Sequence, residues 1–170
     1  MVNIHFLTIL REDEFRELKK DFPHDKELLH SIRSIRYCKA EVFRDCILGT
    51  LRVPKKNEIR TPHVVCGFYL TDKELFLIED SGNLKYWIGK KEEQFEDLKS
   101  PDQFLLKMME LVIENDLLYL SHLEKEIEKM EDQLIKGVPD NFFTVLTKYR
   151  QKLSELDAYY EQLAMIGDLL

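Results

Sequence analysis

Glycine is scarce in this sequence, six in 170 residues, and none of the six sits in a Gly-x-Gly-x-x-Gly, Walker or Gly-x-Ser-x-Gly arrangement. A backbone cradle for phosphates has little to be built from, and His-Glu-x-x-His is absent as well, so no catalytic signature stands out and no catalytic residue is assigned. Cysteine is scarce too. Cys38, Cys46 and Cys66 are an odd number without Cys-x-x-Cys spacing, and the first residues lack a basic n-region or a small-residue cleavage site. Free thiols in a reducing cytosol are expected rather than a disulfide framework. The five histidines form neither a helical pair nor a zinc-finger spacing. His63 and Cys66 come closest, but strand residues three apart point to opposite faces. Nothing approaches the roughly 18 consecutive apolar residues of a membrane-spanning helix, so these residues read as a soluble, intracellular chain. Positive charge is in deficit, 25 Lys and Arg against 32 Asp and Glu for a net −7, which argues against a nucleic-acid partner.

What is present is apolar matter, 44% of residues with 11% aromatic, enough for one core and an appendage. The charge divides unevenly. Residues 1–100 hold 18 acids and 18 bases, and residues 101–170 hold 14 acids and 7 bases. With the change in patterning at Ser100-Pro101, this predicts a mixed α/β domain over 1–100 and an acidic helical hairpin over 101–170.

Residues 4–10 suit a first strand, and 12–20 a charged helix with Phe15 and Leu18 inward, ended by Pro23. Residues 26–36 place Leu28, Leu29, Ile32 and Ile35 on one helical stripe, with Arg33 and Arg36 on the exposed face. Four strands follow at 42–53, 63–70, 75–78 and 84–88, with tight turns at 71–74 and 81–83, so 63–88 reads as a β-meander. Phe68, Phe76 and Trp87 are expected in the core. Glu79-Asp80 and Glu92-Glu93 read as a turn and a helix start, and Lys55, Lys56 and Arg60 as a small basic loop. A short helix is expected over 90–98. Ser100 and Pro101 then open a helix unbroken to Lys136, a rod of roughly 50 Å. Gly137 and Pro139 stop it, and Asp140 or Asn141 caps a second helix that runs to the end.

That second helix spaces Phe142, Leu146, Tyr149, Leu153, Leu156, Tyr160 and Leu163 at alternating steps of four and three, the a/d spacing of a coiled coil. The first answers with Leu120, Leu123, Ile127, Met130 and Leu134. Joined by a short turn, the two must run antiparallel, so facing residues should share a constant sum of numbers. Leu134 with Phe142, Met130 with Leu146, Ile127 with Tyr149, Leu123 with Leu153, and Leu120 with Leu156 all sum to 276, and Ile113 with Leu163 extends the series. Asp116 opposite Tyr160 is the one misfit. The outward face carries Glu124, Glu126, Glu128, Glu131 and Asp132, which would attract divalent cations weakly; a specific site needs several oxygens converging on one point.

Certain segments in succession carry a resemblance. They are Lys39-Ala40-Glu41-Val42-Phe43-Arg44-Asp45-Cys46, the pair Gly67-Phe68-Tyr69-Leu70-Thr71 and Leu75-Phe76-Leu77-Ile78, and Pro101-Asp102-Gln103-Phe104-Leu105-Leu106. The last is Leu123-Glu124-Lys125-Glu126-Ile127-Glu128-Lys129-Met130-Glu131. In this order they resemble the CorA family of divalent-cation transporters, over residues 22–170. The resemblance implies an α+β fold: an α/β/α sandwich with an antiparallel β-meander, followed by a long antiparallel helical hairpin. It also implies a Mg²⁺ transporter that self-associates as a homopentamer, with divalent ions between neighbouring cytoplasmic domains holding the pore shut. In family members a stalk helix, two membrane helices and a Gly-Met-Asn signature follow the hairpin, and the membrane is reached only through that part. The family's sensing acid would align near His30, so no metal ligand is carried over and Mg²⁺ has no site identified here.

The expected role is that of a regulatory or assembly domain on the cytoplasmic side of the membrane, neither an enzyme nor an ion conductor by itself. The alternatives are the equivalent domain of a zinc-exporting relative, or a free-standing interaction module whose hairpin docks a partner helix. The second alternative predicts an apolar stripe left exposed on the hairpin.

Overall fold

The structure is a computed structural model and describes residues 4–18, 22–56, 64–137 and 141–170. Five strands form one mixed sheet: β1 (Leu7–Leu10), β2 (Lys39–Val42), β3 (Ile47–Arg52), β4 (Val65–Leu70) and β5 (Leu75–Ile78). Their spatial order is β1-β5-β4-β3-β2, with β1 parallel to β5 and every other pair antiparallel. The short strands β4 and β5 are apolar on both faces, and both faces are covered. Cys66, Phe68, Leu70, Leu75 and Leu77 face one core, and Tyr69, Phe76 and Ile78 the other.

The second of these cores is closed by α1 (Glu12–Glu17) through Phe15 and by α2 (Asp25–Ile32) through Leu28. The first lies under α3 (Asn83–Lys90), α4 (Pro101–Ile113) and the last third of α6 (Phe142–Gly167). Helix α4 contributes Phe104, Leu105, Met108 and Val112, and Phe104 stacks on Phe95 at 4.5 Å between ring centres. An α/β/α sandwich results, and α5 (Asp116–Lys136) with the first part of α6 forms the antiparallel hairpin. No helix among the described residues is long and apolar enough to cross a membrane.

Helix α2 sits over a gap in the sheet. A Cβ added to Gly67 would lie 2.2 Å from Ile32 Cγ2 and 3.4 Å from Leu28 Cδ1, so the bare glycine is what lets the helix approach. Gly67→Ala is expected to destabilise the chain by about 1–3 kcal/mol through overpacking. Because the obstacle is a half-buried side chain, adding Ile32→Ala should recover part of the loss. Urea midpoints of the single and double variants check this, and a double variant weaker than Gly67→Ala alone would contradict it.

Four expectations need correction. The strand expected over 42–53 is instead the end of β2 at Val42, a turn at 43–46 and then β3; in the turn the Phe43 amide donates to the Cys46 carbonyl at 2.8 Å and Arg44 and Asp45 are exposed. Residues 84–88 belong to helix α3 and not to a fourth strand. Gly82, at φ +72, turns the chain, and the Ser81 hydroxyl accepts the Asn83 amide, so 81–83 starts a helix instead of a hairpin. The apolar residues then divide with helical period: Leu84 and Ile88 are buried, whereas Tyr86, which a strand would have put beside them, is 65% exposed. Residues 92–94 make a single 3-10 turn. The rod expected over 101–136 is interrupted at Glu114 and Asn115, between α4 and α5.

Candidate functional site

Burying a charge is costly unless it is paired and hydrogen-bonded, so buried ionic groups mark places where the fold spends stability on something else. Among the described residues the buried polar or charged side chains are those of Thr50, Lys56, Glu79 and Asp116. Two of them have neutral partners: Thr50 of β3 donates its hydroxyl to the Tyr37 carbonyl ahead of β2, and Glu79 accepts from the Ser81 amide and hydroxyl in a turn. Lys56 and Asp116 do something different. They form an ion pair across 60 residues of sequence, with side chains 0% and 6% exposed.

Each member is placed by a different element. Lys56 follows β3, on the segment leaving the sheet. Asp116 is the first residue of α5, at the interruption after α4, where the free amides of a helix N-terminus favour a carboxylate. Its second oxygen accepts the Tyr160 hydroxyl of α6 at 2.8 Å. The ammonium of Lys56 also lies 5.3 Å from the centre of the Tyr159 ring. One carboxylate therefore ties the end of a strand, the joint between two helices and the last helix. Around it Tyr119 and Tyr159 are buried, and their hydroxyls find no partner among the described residues.

The expected basic loop is corrected here. Lys56 is not a solvated base, and Arg60 lies outside the described residues. The misfit in the hairpin pairing has a physical account as well: Asp116 and Tyr160 face each other and are hydrogen-bonded. Lys56 carried no sequence signal, because an isolated lysine in a polar loop looks like any exposed one.

The buried phenols shift in one direction. Burial pushes Tyr160 well above the ordinary tyrosine range, helped by its bond to the Asp116 carboxylate; burial raises Tyr159, and burial raises Tyr69 with help from its bond to Cys46. Unfolded, these phenols lose their protons near pH 10; folded, they keep them longer. Above about pH 10 the unfolded chain therefore binds fewer protons than the folded one, and stability must fall as pH rises. Urea midpoints are expected to be level across neutral pH and to drop steeply between about pH 10 and about pH 12. Tyr160→Phe should flatten that drop, and an unchanged slope would show that its phenol is not a contributor.

The hairpin residues singled out by spacing are distributed as follows. Leu123 and Leu156 are buried in one cluster with Tyr119, against which Leu120, Tyr149 and Tyr160 pack. Tyr149 donates its hydroxyl to Glu126 at 2.6 Å. Ile127, Met130, Leu134 and Phe142 are half-buried, and Leu146 and Leu153 are 45% and 39% exposed. Neither α5 beyond Leu123 nor α6 before Leu156 has a buried residue among those described. Along α5 runs an open groove of about 550 Å³, lined by Leu117, Leu120, Leu123, Ile127 and Leu153 together with Glu124, Glu128 and Glu131.

The three cysteines are free and buried. Burial pushes the Cys66 thiol far up, with the Glu79 carboxylate and Cys38 adding to it, which leaves no nucleophile there. His63 lies outside the described residues, and among those described no three His, Cys, Asp or Glu side chains could together hold a metal ion. A family model described as CorA-like Mg²⁺ transporter protein matches residues 4–170. No curated protein matches the chain.

Proposed function

The chain belongs to the CorA-like Mg²⁺ transporter family, and from that premise we propose that it is the regulatory and assembly domain of a magnesium transport protein, facing the cytoplasm and conducting no ion by itself. The observation that carries this reading is the buried Lys56–Asp116–Tyr160 tie, which joins sheet, helix joint and hairpin at one carboxylate. A domain that passes a signal mechanically needs such a joint: what docks on the hairpin, or between neighbouring copies, is then felt at the sheet. The ten spaced residues from Leu120 to Leu134 and from Phe142 to Leu156 serve in this reading as the seam that holds the hairpin together, and 101–170 acts as the moving section against 1–100. Mg²⁺ is cargo and signal.

The test uses spin labels at the exposed Glu41 of β2 and near the α5 tip, with the distance between them read under varied Mg²⁺. In the assembled transporter the distance is expected to respond to Mg²⁺, and Asp116→Asn is expected to abolish the response. A response unchanged by that substitution would remove the tie from the mechanism. The 170-residue chain alone should bind Mg²⁺ only weakly in calorimetry, with heats that disappear as salt screens the exposed acids. Tight, stoichiometric binding would overturn that part.

A second reading, the hairpin as an interaction module, is favoured by a separate observation. Ile135 and Phe143, on either side of the hairpin turn, are 85% and 73% exposed, and Leu117 at the start of α5 is 83% exposed. It predicts that a partner helix protects these residues from solvent labelling without any dependence on Mg²⁺.

A further inference from the structure

We propose that the pocket between the C-terminal end of α2 and strand β2 binds a small phosphate-bearing anion, with its charged end on Arg33 and Arg36 and its body against Tyr37. The pocket has a volume of about 490 Å³, within the range of small-molecule sites, and no aspartate or glutamate lines it. That absence is telling in a chain of net charge −7, where acids outnumber bases by seven. Arg33, Arg36, Lys39 and His30 line the pocket. Ser34 adds a hydroxyl, and Ile35 and the half-exposed ring of Tyr37 supply an apolar wall.

The arginines are not consumed elsewhere. Neither Arg33 nor Arg36 forms an ion pair among the described residues, whereas Lys39 is engaged with Glu41 at 2.8 Å and is discounted. The ordinary role for bases at this place would be to complement the carbonyl end of α2, whose partial charge is about half a unit. Two guanidiniums exceed that by about four to one, which leaves positive charge for an incoming anion. Guanidinium forks favour phosphate over simple halides because they donate two parallel hydrogen bonds to its oxygens. The backbone beneath is held: Arg52 Nη1 donates to the Ile35 carbonyl at 2.7 Å, and Thr50 donates to the Tyr37 carbonyl at 3.0 Å. The segment carrying both arginines and Tyr37 is thus tied to β3 at two points.

Phosphate of this kind could come from a soluble compound or from a lipid headgroup, and the two sources separate experimentally. The 170-residue chain is titrated with ATP, with inorganic pyrophosphate, and with phosphatidylcholine vesicles with and without phosphatidic acid. Saturable binding of ATP or pyrophosphate, weakened about tenfold or more by Arg33→Gln with Arg36→Gln, is the expected result. Lys85→Gln with Lys90→Gln, on α3 away from the pocket, should leave it unchanged. Binding only to vesicles carrying phosphatidic acid, with the same loss in the arginine variant, would support the site and assign it to a lipid. Two results would overturn the proposal: no saturable binding to any of these, or equal binding by the wild type and the arginine variant. Since Arg33 and Arg36 are exposed, unchanged thermal melting of that variant separates lost binding from lost folding. None of these outcomes depends on the transport reading.

Discussion

Asp116→Ala is expected to lower the stability of the folded chain by about 3–5 kcal/mol, because it leaves the Lys56 ammonium buried without its counter-charge. The side chain of Lys56 is 0% exposed, so water cannot replace the lost carboxylate without the surrounding packing opening. The Tyr160 hydroxyl loses its acceptor in the same variant, joining the hydroxyls of Tyr119 and Tyr159, which have no partner among the described residues. Tyr160→Phe alone removes a hydrogen bond to a charged group and should cost less, about 1.5–3 kcal/mol. The informative comparison is the triple variant Lys56→Met, Asp116→Leu, Tyr160→Phe. Replacing a whole buried ionic set by apolar groups of similar size is often neutral or stabilising. Urea unfolding is expected to show the triple variant at least 2 kcal/mol above Asp116→Ala, an order-of-magnitude margin. If the triple variant recovers stability but the hairpin no longer responds to Mg²⁺, the ionic set is present for transmission. If Asp116→Ala is as stable as the wild type, the pair is not buried in solution and the tie does not exist.

Gly49→Ala should be the harsher of the two glycine substitutions. A Cβ there would stand 2.1 Å from the Lys39 carbonyl oxygen and 2.5 and 2.7 Å from the Phe68 ring. Both obstacles are fixed. The carbonyl belongs to the backbone of β2, whose Ala40 pairs with Gly49, and Phe68 is fully buried opposite Gly49 in the β3–β4 register. Relief requires either parting β2 from β3 or driving the ring into a close-packed core. The cost is expected at or above the top of the usual overpacking range, about 3 kcal/mol, against a recoverable loss for Gly67→Ala. Parting β2 also uncovers the edge of β3, so the variant should aggregate sooner on heating. Light scattering during a thermal ramp reads this, and a midpoint equal to the wild type would show that β2 yields freely.

How far the sequence disclosed these features varies with the length of the signal. The two hairpin helices were legible because apolar residues recur with helical spacing over about six turns and Gly137 marks the stop between them. Strands β3 to β5 were legible from apolar runs bounded by turns. Residues 84–88 were not, since five residues cannot separate a period of 2 from one of 3.6 when most are apolar. The interruption at Glu114 and Asn115 has no proline or glycine to announce it; the apolar pattern continues across, and what changes is that α4 is sunk in the sheet core while α5 emerges from it. The tie was half visible. Asp116 broke the seam pattern and faced Tyr160, but its third member came from a loop 60 residues earlier, and such a pairing exists only in three dimensions.

The interruption has a consequence for leverage. From Asp116 the 21 residues of α5 extend an arm of roughly 30 Å at 1.5 Å per residue, and its outer half has no buried residue to hold it. A pivot at the inner end multiplies small angles: a tilt of about 10° would sweep the tip through about 5 Å, while groups beside the carboxylate move by less than a hydrogen bond's tolerance. Run in reverse, the same ratio makes the arm a force amplifier. A weak push at Phe143 or Ile135, acting through the long side, would arrive at Lys56 several times stronger, where the described residues hold an ion pair out of water.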